Sequence, residues 1–117
     1  LYLGAVPEIE VGPVMTAIVD DTPLPLAFSL YQNQPNPFNA RTIIQFALGK
    51  PGHASLEVYT ITGQRVATLA AGWYPAGVHS VVWDGRDTHG VPLASGTYLY
   101  RLVTPAKTAN RKMLLLE

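Results

Sequence analysis

The chain contains no cysteine. Disulfides and thiolate metal sites are therefore excluded, and the fold must be held by packing and hydrogen bonds alone. Charge is scarce as well: Lys, Arg, Asp and Glu make up 14% of the 117 residues, and the formal net charge is zero. A protein that neutralises phosphates needs a basic excess, so nucleic acid is not an expected partner. The longest apolar run, Met113–Leu116, falls far short of the ~20 residues of a membrane helix. Leu1–Glu10 lacks a basic start and carries Glu8 and Glu10, so for an exported protein the signal peptide is expected upstream. Patterns for catalysis are missing too. There is no Gly-x-Ser-x-Gly elbow, a cysteine nucleophile is impossible, and carboxylates are too few to favour a paired acid and base. His53, His79 and His89 lack metal-ligand spacing. The expectation is a chain that is not an enzyme and needs neither cofactor nor metal.

What is present is apolar and frequently interrupted. Hydrophobic residues reach 48%, and ten glycines and ten prolines punctuate the chain, a pattern that disfavours helices. The stretches between are rich in Val, Ile, Thr, Tyr and Leu, the composition of strands. Strands are predicted near 28–32, 41–48, 54–61, 64–70, 77–84, 96–104 and 108–116. Seven short strands with frequent turns predict an all-β, antiparallel, immunoglobulin-like sandwich. Alternation supports this, with Ile44, Phe46 and Leu48 on one face of their strand and Leu56 with Val58 on one face of the next. His79, Val81 and Trp83 share a face, which nominates Trp83 for the core. Tyr98 and Tyr100 point inward, and their hydroxyls need partners, for which turn backbone is expected. Thr62-Gly63 is predicted to form a tight hairpin and Lys50-Pro51-Gly52-His53 a type II turn. Four prolines and Asp20-Asp21 mark residues 1–25 as a linker or the remnant of a preceding domain, leaving 26–117 as the compact unit.

Four segments invite a functional reading. In Asn33–Phe38 the flanking prolines fix φ and push Asn36 out of the helical region, giving a stiff corner with Phe38 placed to plug one end of the sandwich. Asp84 and Asp87 lie in a polar loop, but the alternating ligands and closing glutamate of a calcium loop are missing. Asp84 is expected to cap turn amides instead. Trp73 and Tyr74, read as a loop before Pro75, either cover the open end of the core or stack on a sugar ring. The segment Arg111–Leu116 is read as a closing strand whose free edge a partner can extend.

Several blocks, in order, resemble a known family. They are Leu30–Asn39, Val58-Tyr59 with Thr62–Val66, Ala76–His79 with Val82–Gly85, Ser95–Tyr98, and the ending at Lys112-Met113. Together they are similar to the type A C-terminal sorting domain of type IX secretion cargo in Bacteroidetes. They also resemble the immunoglobulin-like domain of the flagellar hook-capping protein. The resemblance implies a non-catalytic domain that sends an upstream cargo domain from the periplasm through the type IX translocon to the cell surface or medium. It further implies a surface sortase that joins cargo to anionic lipopolysaccharide. The residues it assigns to sorting are Pro35, Asn36, Pro37, Gly96, Tyr98, Lys112, Met113, Leu114 and Leu115. The rival reading is a carbohydrate-binding or adhesion module of a multidomain glycosidase, with Trp73 and Tyr74 as glycan contacts. A third is a structural spacer.

Overall fold

The computed structural model describes residues 27–117; the expected linker at 1–25 and Leu26 lie outside the described residues. Every regular element among the described residues is a strand. In chain order these are β1 (Ser29–Leu30), β2 (Phe38–Asn39), β3 (Thr42–Leu48), β4 (Gly52–Thr60), β5 (Arg65–Tyr74), β6 (Gly77–Trp83), β7 (Gly96–Val103) and β8 (Thr108–Leu116). They form a three-stranded sheet, β1-β3-β6, and a five-stranded sheet, β2-β8-β7-β4-β5. All pairings are antiparallel except β2 with β8, which is parallel. The immunoglobulin-like sandwich expected from the alternation is thus present.

The period-two pattern places the core as expected. Ile44, Phe46, Leu56, Val58, Tyr100 and Leu102 are fully buried between the sheets. Ile43 and Val82, paired across β3 and β6, point outward and stay about half exposed. Phe38 packs on Trp83 with ring centroids 5.6 Å apart, closing one end of the sandwich. Trp83 also meets the edge of Tyr98 at 5.9 Å, and its indole N–H donates to Arg86 O at 2.9 Å. Gly85 (φ +73°) passes so close to Leu115 and Phe38 that a Cβ would sit 3.3 Å from a Leu115 methyl. Both the backbone angle and the space demand glycine there.

Several local expectations are corrected. The β4–β5 connection spans Ile61–Gln64 rather than two residues, although Gly63 does supply the positive φ (+96°). Gly52 is not among the positive-φ glycines and opens β4 opposite Tyr74, so Lys50–His53 is not a type II turn. Strand β5 continues through Trp73 and Tyr74, which pair with His53 and Gly52. The small residues Ala70–Gly72 suggest a loop, yet their partners on β4 keep the ladder going. Among the described residues strand β2 is an eighth strand, which the composition does not reveal.

Candidate functional site

Three of the blocks that carry the family resemblance, Leu30–Asn39, Ser95–Tyr98 and the ending at Lys112-Met113, meet at one corner of the sandwich. The proline segment reaches it first. The Gln34–Pro35 and Asn36–Pro37 peptide bonds are cis, and Pro35, Asn36 and Pro37 are all exposed. Below them Asn33 is buried, with its amide donating to Pro35 O and Thr42 Oγ1, both at 3.1 Å. Thr42 Oγ1 also donates to Pro35 O at 2.9 Å. The backbone N–H of Asn33 donates to Tyr100 Oη at 2.8 Å, and the Tyr100 hydroxyl donates to Tyr31 O at 2.6 Å. A buried amide and a buried phenol thus satisfy each other's neighbourhood and pin the proline segment to β7.

The terminal strand comes next. Its outer edge is not free along its C-terminal half, which corrects the expectation of an open edge. Gln32 Nε2 donates to Lys112 O at 2.7 Å, and Leu114 N–H donates to Asn36 Oδ1 at 2.9 Å. Arg111 Nε donates to Leu30 O. Beyond these, Phe38 and Asn39 lie beside Leu115 and Leu116 as a short parallel ladder. The polar side chains of the proline segment therefore occupy the backbone groups that an added strand would need. On the other side, Gly96 and Tyr98 pair with Leu115 and Met113. The Tyr98 hydroxyl donates to Ala94 O at 2.7 Å, turn backbone as expected.

Burial divides the residues assigned to sorting into two groups. Met113 and Leu115 are 1% and 4% exposed, so they belong to the core and are out of reach of a partner. Tyr98 is likewise buried. Pro35, Asn36, Pro37, Lys112 and Leu114 remain accessible and form the surface of the corner, with Gly96 half-buried behind them. Tyr100 is legible as an inward phenol in need of a partner, but that it joins Asn33 N–H and Tyr31 O, and that Gln32 reaches Lys112 O, is not signalled by any local pattern. Only the row of amides in Gln32-Asn33-Gln34 hints at a polar clasp.

Trp73 is 62% exposed, so it does not cover the core. Tyr74 turns inward and meets Phe46 and His79 edge-on at 5.6 and 5.0 Å. The aromatic pair is therefore split across the two faces of β5, and Trp73 alone is available to a glycan. In the 84–90 loop, Asp84 Oδ1 accepts from Arg86 N–H, and Asp87 Oδ1 accepts from His89 and Val91 N–H at 2.9 Å. The carboxylates serve the turn. Among the described residues no cluster of three or more His, Asp or Glu side chains is arranged to hold a metal.

Burial raises the pKa of Tyr98 and Tyr100; the Glu117 charge adds to it at Tyr98, while the Asn33 N–H and Arg111 oppose it at Tyr100. Their folded values thus lie above the unfolded value of about 10. The native state then keeps protons that the unfolded chain releases, so stability is full below about pH 10 and falls as pH rises through the folded values. Urea unfolding midpoints should be flat up to about pH 9 and drop above about pH 10, less steeply in Tyr98→Phe. A midpoint that does not move across that range would contradict the buried-phenol account.

The FlgD Ig-like domain family model matches residues 36–107. Among solved structures, dimeric latent PorU from Porphyromonas gingivalis is similar, with 23% identity and a TM-score of 0.63, covering 86% of this chain and 10% of that one. PorZ of the same organism gives 20% identity and a TM-score of 0.51 over 75% of this chain and 11% of its own. FlgD from P. aeruginosa gives 27% identity and a TM-score of 0.52 over 64% and 60%. The chain thus spans about a tenth of the length of PorU and PorZ. No curated protein matches it in sequence.

Proposed function

The chain belongs to the FlgD Ig-like domain family, and from that premise we propose that it is a non-catalytic sorting and attachment domain. It directs an upstream cargo domain through type IX secretion to the cell surface or the medium. The observation that carries this reading is the convergence of the proline segment, the Gly96–Tyr98 block and the terminal strand on one surface, fastened by the Asn36–Leu114 hydrogen bond. Residues far apart in sequence make a single rigid shape there, which is what a receptor for a folded signal requires. The likeness to PorZ, described as an essential surface component of the type IX system of P. gingivalis, supports the same context. Recognition falls to the exposed set: Pro35, Asn36, Pro37, Lys112 and Leu114. The translocon and a surface sortase are the partners, and anionic lipopolysaccharide is the attachment acceptor.

The test is a periplasm-directed fluorescent reporter carrying residues 12–117 at its C-terminus, followed in a type IX-competent host and in a translocon-deficient strain. Export is expected only in the first. The double variant Lys112→Glu/Leu114→Ser, altered only at exposed positions, should cut export about tenfold, the factor that ~1.4 kcal/mol of lost recognition produces. Its Tm should stay within a few degrees of the parent. Retention of a folded parent fusion in the periplasm of the competent host would overturn the reading. The exposed indole of Trp73 favours the carbohydrate-binding alternative, and retention on a polysaccharide gel that Trp73→Ala abolishes would move the assignment there.

A further inference from the structure

Among the described residues the two sheets have four edge strands, and three of them are protected. Strands β1 and β2 are two residues long. Strand β5 is interrupted by register shifts at Leu56/Glu57 and Val58/Tyr59 of its partner, carries Arg65, and has Val66 O occupied by Thr88 N–H at 3.0 Å. Bulges, charge, brevity and cover are the usual means by which edges avoid pairing. Among the described residues strand β6 has none of them. It runs seven residues, pairs with β3 without a bulge, and holds no proline and no Lys, Arg, Asp or Glu.

The register shows which of its backbone groups are open. Ile43 exchanges both backbone hydrogen bonds with Gln34, and Gln45 O accepts from Tyr31 N–H, so Ile43 and Gln45 turn their backbone away from β6. In an antiparallel ladder the residues opposite them must then turn away from β3. Those residues are Val82 and Ser80, and the alternation adds Val78. No described residue hydrogen-bonds to their backbone N–H or C=O groups. Their side chains point outward, with Val78 50% and Val82 55% exposed, beside Ile43 at 47%.

This edge is self-complementary. We propose that β6 pairs antiparallel with β6 of a second copy of the chain, about a two-fold axis through Ser80. That register sets Ser80 against Ser80 and Val78 against Val82 of the other copy. Each of these positions presents both backbone groups outward, so every facing pair exchanges two hydrogen bonds. The same register joins the exposed apolar residues into a strip running Ile43, Val82, then Val78 of the other copy. No charge opposes it. Cross-strand contacts of this kind contribute about 0.2–1 kcal/mol each, so the association is weak and concentration-dependent. It leaves the corner at Asn36 and Leu114 uncovered, because that corner lies on the β1 side of the three-stranded sheet, opposite β6, where Arg111 reaches Leu30 O and Gln34 bridges to Ile43.

Sedimentation of the full chain over a roughly hundredfold concentration range tests this. The average mass should rise from one copy towards two. Ser80→Lys places two ammonium groups at the axis, and Ser80→Glu two carboxylates. Each variant alone should remain a single copy, while an equimolar mixture should regain the dimer through opposite charges directly across the axis. A parent chain that stays single throughout, variants that dimerise like the parent, or a mixture of folded variants that stays single would each overturn the proposal. Amide exchange of the parent gives a reading free of any variant. Protection at Val78, Ser80 and Val82 should grow with concentration. Equal protection at every concentration would mean that the chain covers its own edge, and would overturn it as well.

Discussion

A chain ending at Asn110 is expected to lose its cooperative melting transition altogether. Deletion of Arg111–Glu117 removes Met113 and Leu115 from the core, and fully burying two such side chains contributes about 3–6 kcal/mol. It also strips β7 of its partners from Gly96 to Tyr100 and leaves Phe38 and Asn39 without the strand they lie against. A domain of this size has about 5–15 kcal/mol in total. The truncated chain should therefore show little near-ultraviolet dichroism, poor amide dispersion and rapid proteolysis. A truncated chain that melts within about 10 °C of the parent, a shift of only 1–3 kcal/mol, would show the strand to be an appendage. The consequence for function is direct. Loss of export on deleting the terminal strand cannot separate a lost signal from a lost fold, whereas substitutions at the exposed Lys112 and Leu114 can.

The division between core and surface in that strand is legible in the sequence only after the strand is known to be enclosed. The alternation of Met113, Leu114, Leu115 and Leu116 is masked because all four are apolar. What resolves them is the sheet face each one meets. Strand β4 is legible because inward Ala54, Leu56 and Val58 alternate with the polar His53, Ser55 and Glu57, and β3 is marked by Gln45 between the buried Ile44 and Phe46. Strand β2 is not, because a two-residue parallel ladder leaves no period and its partner lies at the other end of the chain. The same holds for the clasp. That Tyr100 needs a hydrogen-bond partner follows from its burial, but that the partners are Tyr31 O and Asn33 N–H depends on how two sheets close over each other. Likewise the exposed indole of Trp73 depends on β5 running four residues past its predicted end, which the pairing with β4 decides and local propensity does not.

The two tryptophans of the chain make the second prediction a contrast. Trp83→Ala should cost about 3–5 kcal/mol, as large aromatic truncations in sealed cores do. Trp83 is 2% exposed, its ring lies between Phe38 and Tyr98, and its N–H has a fixed acceptor in Arg86 O. With a Tm change of about 4–8 °C per kcal/mol, the melt should fall by roughly 12–40 °C. Trp73→Ala removes a side chain that is 62% exposed and should stay within about 0.5 kcal/mol of the parent. Thermal melts followed by near-ultraviolet dichroism measure both, and equal shifts would refute the placement of the two rings. The effect on the corner follows from the packing. Phe38 begins β2, rests on Trp83, and holds its place beside Leu115. Removing the indole loosens the support beneath Asn36 and Leu114 without touching either. In the export experiment Trp83→Ala should therefore behave like a loss of the recognition surface, while Trp73→Ala should export as the parent does.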